Sequence, residues 1–269
     1  MTIGLRSALF AVSLGFLASA VSADETVRME GGYSPVFRVP VDDVKTKFVP
    51  AALFEPSGAG PFPAVIILGG CEGTGSEHDL GAVKRANADY LAKGIATLIV
   101  DSFSPRGIIT VCGDRTASIA GWDYRAEDAY AAMDWLIGRS EIDARHIFAQ
   151  GYSHGGRSVI EAVNPKRAAK HKQQFTGVIA FYPRCEANMK FSAPTIILAG
   201  ERDDLNPPKL CEDIVDKTNV EVVTLPHAGH GFASPGFNPR FAKFHVGYDE
   251  SATNEAQRRA IAFIESLNK

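Results

Sequence analysis

Arg145-His146-Ile147-Phe148-Ala149, then Gln150-Gly151-Tyr152-Ser153-His154-Gly155-Gly156, then Arg157-Ser158-Val159-Ile160-Glu161-Ala162-Val163 is the stretch that decides the fold. The first segment, with its β-branched and aromatic residues, predicts a short strand, and the last predicts the start of a helix. A Gly-x-Ser-x-Gly between strand and helix makes a turn so sharp that the positions flanking the serine need glycine. The serine hydroxyl then projects from the strand end, and the backbone N–H of His154 points to where an oxyanion would form. The chain carries 25 glycines, so an ordinary Gly-rich strand-to-helix loop is the competing explanation of this pattern alone.

On either side of this stretch, apolar runs alternate with helical spacing. Upstream, residues 26–56 are expected to be β-rich, most clearly over Lys47–Phe54. Ala64–Leu68 and Ile95–Val100 are unbroken apolar runs, as strands buried on both faces of a parallel sheet require. A helix is predicted from about Gly81 to Lys93, and another over Tyr124–Ile137, where Ala126, Ala129, Met133, Trp135 and Leu136 follow a helical period. Downstream come strands at Gly177–Tyr182, Thr195–Ala199 and Val220–Leu225, with Lys166–Lys172 read as a solvated charged stretch, and a terminal helix over Glu255–Leu267. Strands alternating with helices predict a three-layer α/β sandwich: a mostly parallel central sheet flanked by helices.

Composition narrows the function class. The chain has 269 residues, 45% hydrophobic, which suits a single large α/β domain, and its net charge of −3 with no long basic run gives no sign of nucleic acid or an anionic membrane surface. A basic start over Met1–Arg6, an apolar run over Ser7–Leu17 and the small residues Val21-Ser22-Ala23 predict a cleaved signal peptide over 1–23 and a mature domain over 24–269. Export, to the periplasm or the medium, makes the even set Cys71, Cys112, Cys185 and Cys211 a candidate for two disulfides, since their spacing fits no zinc motif. The residues alone leave the pairing open.

In a parallel α/β sheet, chemistry gathers where strands end. Gly200-Glu201-Arg202-Asp203-Asp204 follows Thr195–Ala199, and Pro226-His227-Ala228-Gly229-His230-Gly231-Phe232 follows Val220–Leu225. Serine, then acid, then histidine is the order of an α/β-hydrolase triad. A serine hydroxyl needs an imidazole to take its proton, and the imidazole needs a carboxylate to fix its tautomer. Asp203 is preferred to Asp204 because it falls in the loop that faces the site. His230 is preferred to His227 because Gly229 and Gly231 should give it a mobile, exposed turn. His154 is expected to act through its backbone.

With Gly151-Tyr152-Ser153-His154-Gly155-Gly156, Gly200-Glu201-Arg202-Asp203 and Gly229-His230-Gly231-Phe232, the chain resembles the dienelactone hydrolase family of the α/β-hydrolase superfamily, over about Ala51–Leu267. The resemblance implies Ser153 as nucleophile, Asp203 as orienting acid and His230 as base. It also implies oxyanion donors in the N–H groups of Cys71 and His154, and disulfides Cys71–Cys112 and Cys185–Cys211. The implied reaction is hydrolysis of a small-molecule ester or lactone through an acyl-enzyme, with no metal or organic cofactor. An exported peptidase or polymer esterase of the superfamily, and a non-catalytic binding protein keeping the fold, are the alternatives. Three departures stand out. The family typically has cysteine at Ser153, glutamate at Gly70, and a second carboxylate-binding arginine at Ser234. Arg106 matches the first such arginine and is the candidate substrate contact, the alternative being a surface loop arginine.

Overall fold

The eight strands of one sheet are β1 (Val36–Pro40), β2 (Phe48–Phe54), β3 (Phe62–Leu68), β4 (Ala96–Val100), β5 (Ile142–Tyr152), β6 (Gly177–Phe181), β7 (Thr195–Gly200) and β8 (Val220–Leu225). The structure, a computed structural model, describes residues 35–236 and 241–268, so the expected signal peptide lies outside the described residues. Spatial order is β1-β2-β4-β3-β5-β6-β7-β8. Pairing is antiparallel at β1–β2 and β2–β4 and parallel from β4 through β8. The chain thus crosses between β4 and β5 around β3, and the C-terminal ends of six adjacent parallel strands line one edge. That edge carries the site.

Helices cover both faces. They are α1 (Glu77–Leu91), α2 (Arg115–Ile137), α3 (His154–Ala162), the single turn α4 (Pro165–Ala168), the single turn α5 (Lys209–Glu212) and α6 (Glu250–Leu267). The period of two in β3 sorts its side chains between two cores. Ile66 and Leu68 pack with Ala126, Met133 and Val159 of α2 and α3, whereas Val65 and Ile67 pack with Val83, Tyr90 and Ile264 of α1 and α6. All five of Ala64, Val65, Ile66, Ile67 and Leu68 are fully buried, which is why the strand reads as an unbroken apolar run.

Several boundaries differ from the expected ones, each for a local reason. α2 starts at Arg115, where the Asp114 side chain caps it by accepting from Ala117 N at 2.9 Å. Its first turns carry Ile119 and Trp122 toward a cavity rather than the core, so they add nothing to the periodic pattern. α6 likewise starts early, at Glu250, under an Asp249 cap on Ala252 N at 2.9 Å. β5 extends to Ile142–Tyr152, and the charged stretch after α3 overlaps α4, capped by Asn164.

Two disulfides join Cys71 to Cys112 and Cys185 to Cys211. Among the described residues, no helix is long and apolar enough to cross a membrane. No group of three or more His, Cys, Asp or Glu among them is placed to hold a metal ion.

Candidate active site

β5 hands over to α3 at a turn whose flanking glycines have no room for a Cβ. A Cβ on Gly151 would strike the carbonyl oxygen of Gly155, and one on Gly155 would strike the carbonyls of Leu68 and Gly69 at the end of β3. Between them Ser153 sits at φ 49° and ψ −110°, a strained conformation for a residue with a Cβ. It is held there by Ser153 N donating to Phe181 O at 2.9 Å and by Ser153 O accepting from Arg157 N at 3.0 Å.

The Ser153 Oγ lies 2.9 Å from His230 Nε2, and His230 Nδ1 lies 2.7 Å from Asp203 Oδ2. The other oxygen of Asp203 accepts the N–H groups of Leu205 at 3.0 Å and Asn206 at 2.7 Å, which fixes the carboxylate plane. Asp204 turns away and binds the backbone N–H and Nδ1 of His245, both at 2.8 Å. His227 is exposed and faces Glu201 and Arg202.

His230, expected on a mobile, exposed turn, is instead buried, at 4% exposure. Its N–H donates to His245 O at 2.7 Å, and its carbonyl accepts from Gly247 N at 3.1 Å. Gly229 serves close approach, since a Cβ there would strike His245 O, and Gly231 supplies a left-handed turn at φ 69°.

The loop after β3 faces the serine from the other side. Gly70, Cys71, Ser153 and His154 line one cavity of about 380 Å³. The Cys71–Cys112 bond and the Val111 N to Cys71 O hydrogen bond of 2.9 Å tie this loop to the start of α2. His154 N–H opens α3, where first-turn donors have no intrahelical acceptor and the helix dipole favours negative charge.

The His154 ring is buried, with Nε2 3.0 Å from Ser118 O and Nδ1 2.8 Å from an Arg125 guanidinium nitrogen. Burial first, and then the Arg125 charge, pull its pKa down to about 3, against the opposing bond to Ser118. The ring is therefore neutral at pH 7. Further walls come from Trp122, Arg157, Tyr182, Arg184, Leu205 and Asn206. Tyr182, at φ 38°, sets its ring edge-on to His230 with centroids 5.0 Å apart.

Arg106 is not part of this cavity, which corrects both expectations for it. Its side chain is 1% exposed and forms ion pairs with Asp128 at 2.8 Å and Asp43 at 3.0 Å. Further donation to Ser102 O at 2.7 Å leaves it a buried clamp. Ser234, where a second arginine would stand, is buried 3.3 Å from the Tyr182 hydroxyl.

Arg125, Trp122 and Tyr182 escape a reading by motif. Arg125 does leave a trace, because it continues the buried stripe of Ala129, Ala132 and Leu136 at helical spacing. A charge on such a stripe calls for a partner.

Known proteins similar to this chain agree with the architecture. The model of the dienelactone hydrolase family matches residues 49–267. NocK of Nocardia uniformis subsp. tsuyamanensis, a candidate esterase, is 26% identical over 217 residues, 71% of this chain and 58% of that protein. An uncharacterized protein of Mycobacterium tuberculosis is 28% identical over 126 residues, 39% of this chain and 45% of its own. The chain thus spans about half the length of the curated relatives it matches, at 45% and 58%. Among solved structures, dienelactone hydrolase from Anabaena variabilis superposes with a TM-score of 0.61 at 20% identity, covering 86% of this chain and 96% of that one. A dienelactone hydrolase-like promiscuous phosphotriesterase from metagenomic libraries gives 0.66 at 18% identity, covering 87% and 98%. Thermogutta terrifontis esterase 2 phosphorylated by paraoxon gives 0.61 at 16% identity, covering 86% and 94%.

Proposed function

The chain belongs to the dienelactone hydrolase family, and from that premise we propose that it is a serine hydrolase of small-molecule esters or lactones working through an acyl-enzyme. The family and its esterase neighbours support a hydrolase of ester type. The observation that carries the finer reading is the line of short contacts from Ser153 Oγ on the cavity wall through His230 to the buried Asp203.

In this reading His230 takes the Ser153 proton as Oγ bonds to the ester carbonyl carbon, and Asp203 holds the imidazole and stabilises its cation. The N–H groups of Cys71 and His154 receive the oxyanion. When the C–O bond breaks, His230 returns the proton to the leaving alcohol. Water then attacks the acyl-enzyme with the same base and releases the acid. The cavity volume of about 380 Å³ falls at the lower end of small-ligand sites, which favours compact esters over a polymer or peptide. Cys71–Cys112 and Cys185–Cys211 suit an oxidising compartment, supporting an exported enzyme.

Hydrolysis of short-chain nitrophenyl esters by the wild type and by Ser153→Ala tests the reading, with paraoxon as an active-site label. The expected result is turnover and covalent labelling of Ser153 in the wild type, with kcat lower by roughly 10⁴ or more in the variant. Turnover that survives Ser153→Ala would overturn the mechanism. Absence of both turnover and labelling in the wild type would favour a binding protein that keeps the fold.

A further inference from the structure

The two oxyanion donors assigned above come from separate elements, the loop after β3 and the first turn of α3. A single side chain touches both. Arg125 of α2 is 1% exposed. Its Nη2 donates to Gly69 O at 2.6 Å, and its Nη1 donates to Gly70 O at 3.1 Å and to His154 Nδ1 at 2.8 Å. The guanidinium also lies over the Phe103 ring, 4.7 Å from its centroid.

We propose that Arg125 is the positioning residue of the oxyanion site, orienting both donor N–H groups and placing a fixed positive charge behind them; this rests on the hydrolase reading given above. The planarity of the peptide fixes the first donor. The Gly70 carbonyl and the Cys71 N–H belong to one peptide unit, and in a trans unit they point in opposite directions. Holding the carbonyl on Arg125 therefore turns the Cys71 N–H away from Arg125, and Cys71 lines the cavity with Ser153. The Gly69 carbonyl, held by Nη2, is also one of the two that leave no space for a Cβ at Gly155. The clamp thus sets how closely the loop approaches the elbow.

The second donor is the N–H of His154, whose side chain Arg125 grips. With Nδ1 accepting from Arg125, the ring proton sits on Nε2 and donates to Ser118 O. Gly121 gives the ring its space, since a Cβ there would lie 2.8 Å from His154 Cε1. Both ring nitrogens are committed, so the residue after the nucleophile has one rotamer and one tautomer.

The guanidinium keeps its proton at any working pH. The guanidinium also feels the Asp128 carboxylate, which is itself paired with Arg106 at 2.8 Å, and its own charge adds to the potential at a developing oxyanion in a buried setting of low dielectric. A plain structural clasp between α2 and the loop would make the same contacts, and the two roles differ in what they do to the transition state.

The deciding experiment uses Arg125→Gln and Arg125→Lys with a nitrophenyl ester, counting functional sites with paraoxon. It adds the Ki of a trifluoromethyl ketone, which traps Ser153 as a charged tetrahedral adduct. In both variants kcat per titrated site should fall by about tenfold to a hundredfold, with KM within about twofold. Ki should rise by the same factor as kcat/KM falls, and the pH midpoint of kcat/KM, set by His230, should stay in place. Wild-type Ki and kcat per site in either folded variant would refute the role. Loss of the fold in both would refute it too, because Arg125 would then be a structural clasp. A wild type with neither turnover nor labelling refutes the hydrolase reading itself, before any variant is made.

Discussion

His154, beside the proposed nucleophile Ser153, should govern stability through its buried ring. Its pKa is pulled from the ordinary 6.5 down to about 3, by burial first and by Arg125 second. In this range the unfolded chain binds a proton that the folded chain refuses, so stability rises with pH. The contribution is complete above about pH 6.5 and is lost as pH falls toward 3. Between pH 7 and pH 5 this group alone should cost about 2 kcal/mol. Urea unfolding of the wild type and His154→Gln at both pH values should show the wild type losing that much more than the variant. A second residue-scale prediction concerns the two neighbouring acids. Asp203→Asn should lower kcat by roughly 10⁴, as loss of an orienting carboxylate does. Asp204→Asn should cost less than about tenfold, since Asp204 acts only through His245, whose carbonyl anchors the His230 N–H. Steady-state kinetics on one ester separates them, and equal losses would shift the acid's role toward Asp204. Order and spacing in the sequence make Asp203 and His230 legible as candidates. The burial of His230 is not, because it comes from the 245–247 segment laid against it, and no local pattern announces that contact.

At the scale of elements, the two disulfides should divide their effects between catalysis and binding. They close segments of 41 and 26 residues, which the chain-entropy model values at about 4 and 3.5 kcal/mol. Cys71–Cys112 fixes the loop that carries the proposed oxyanion donor, the Cys71 N–H. Removing it as Cys71→Ser/Cys112→Ser should lower kcat along with Tm. Cys185–Cys211 instead ties α5 to the segment carrying Arg184 and Glu186 on the cavity wall, so its removal should raise KM with less effect on kcat. Thermal unfolding and Michaelis parameters of the two double variants check this, and a swapped pattern would reassign the loops. The helices mark where pattern reading stops. α2 is legible from Tyr124 onward, where Ala126, Ala129 and Met133 face the core, and illegible from Arg115 to Asp123. There the visible cues are a capping Asp114 and side chains that face a cavity, and a cavity imposes no helical period of its own.

For the whole molecule, β3, β4, β6 and β7 are legible because they are apolar on both faces, and the placement of chemistry follows from where the parallel strands end. What joins distant parts is carried by single buried charges, and their partners are invisible until the chain is folded. Arg106 is the clearest case, joining Asp43 in the β1–β2 connection to Asp128 on α2. Desolvation is the largest influence on Asp128 and lifts its carboxyl above the usual carboxylate range even beside Arg106. The pair is therefore costly to bury, and costlier to break. Arg106→Met would strand the Asp128 charge and should destabilise the fold by about 3–5 kcal/mol at pH 7. Asp128 would then titrate at still higher pH, so the deficit should shrink as pH falls and the carboxyl takes up a proton. Adding Asp128→Asn should recover part of the loss, giving a coupling that a double-mutant cycle measures. Since Arg106 lies outside the cavity, kcat/KM per titrated site should be unchanged for neutral and anionic esters alike. A loss confined to anionic esters would instead return Arg106 to the substrate, and the cycle and the two ester series together decide between a clamp and a contact.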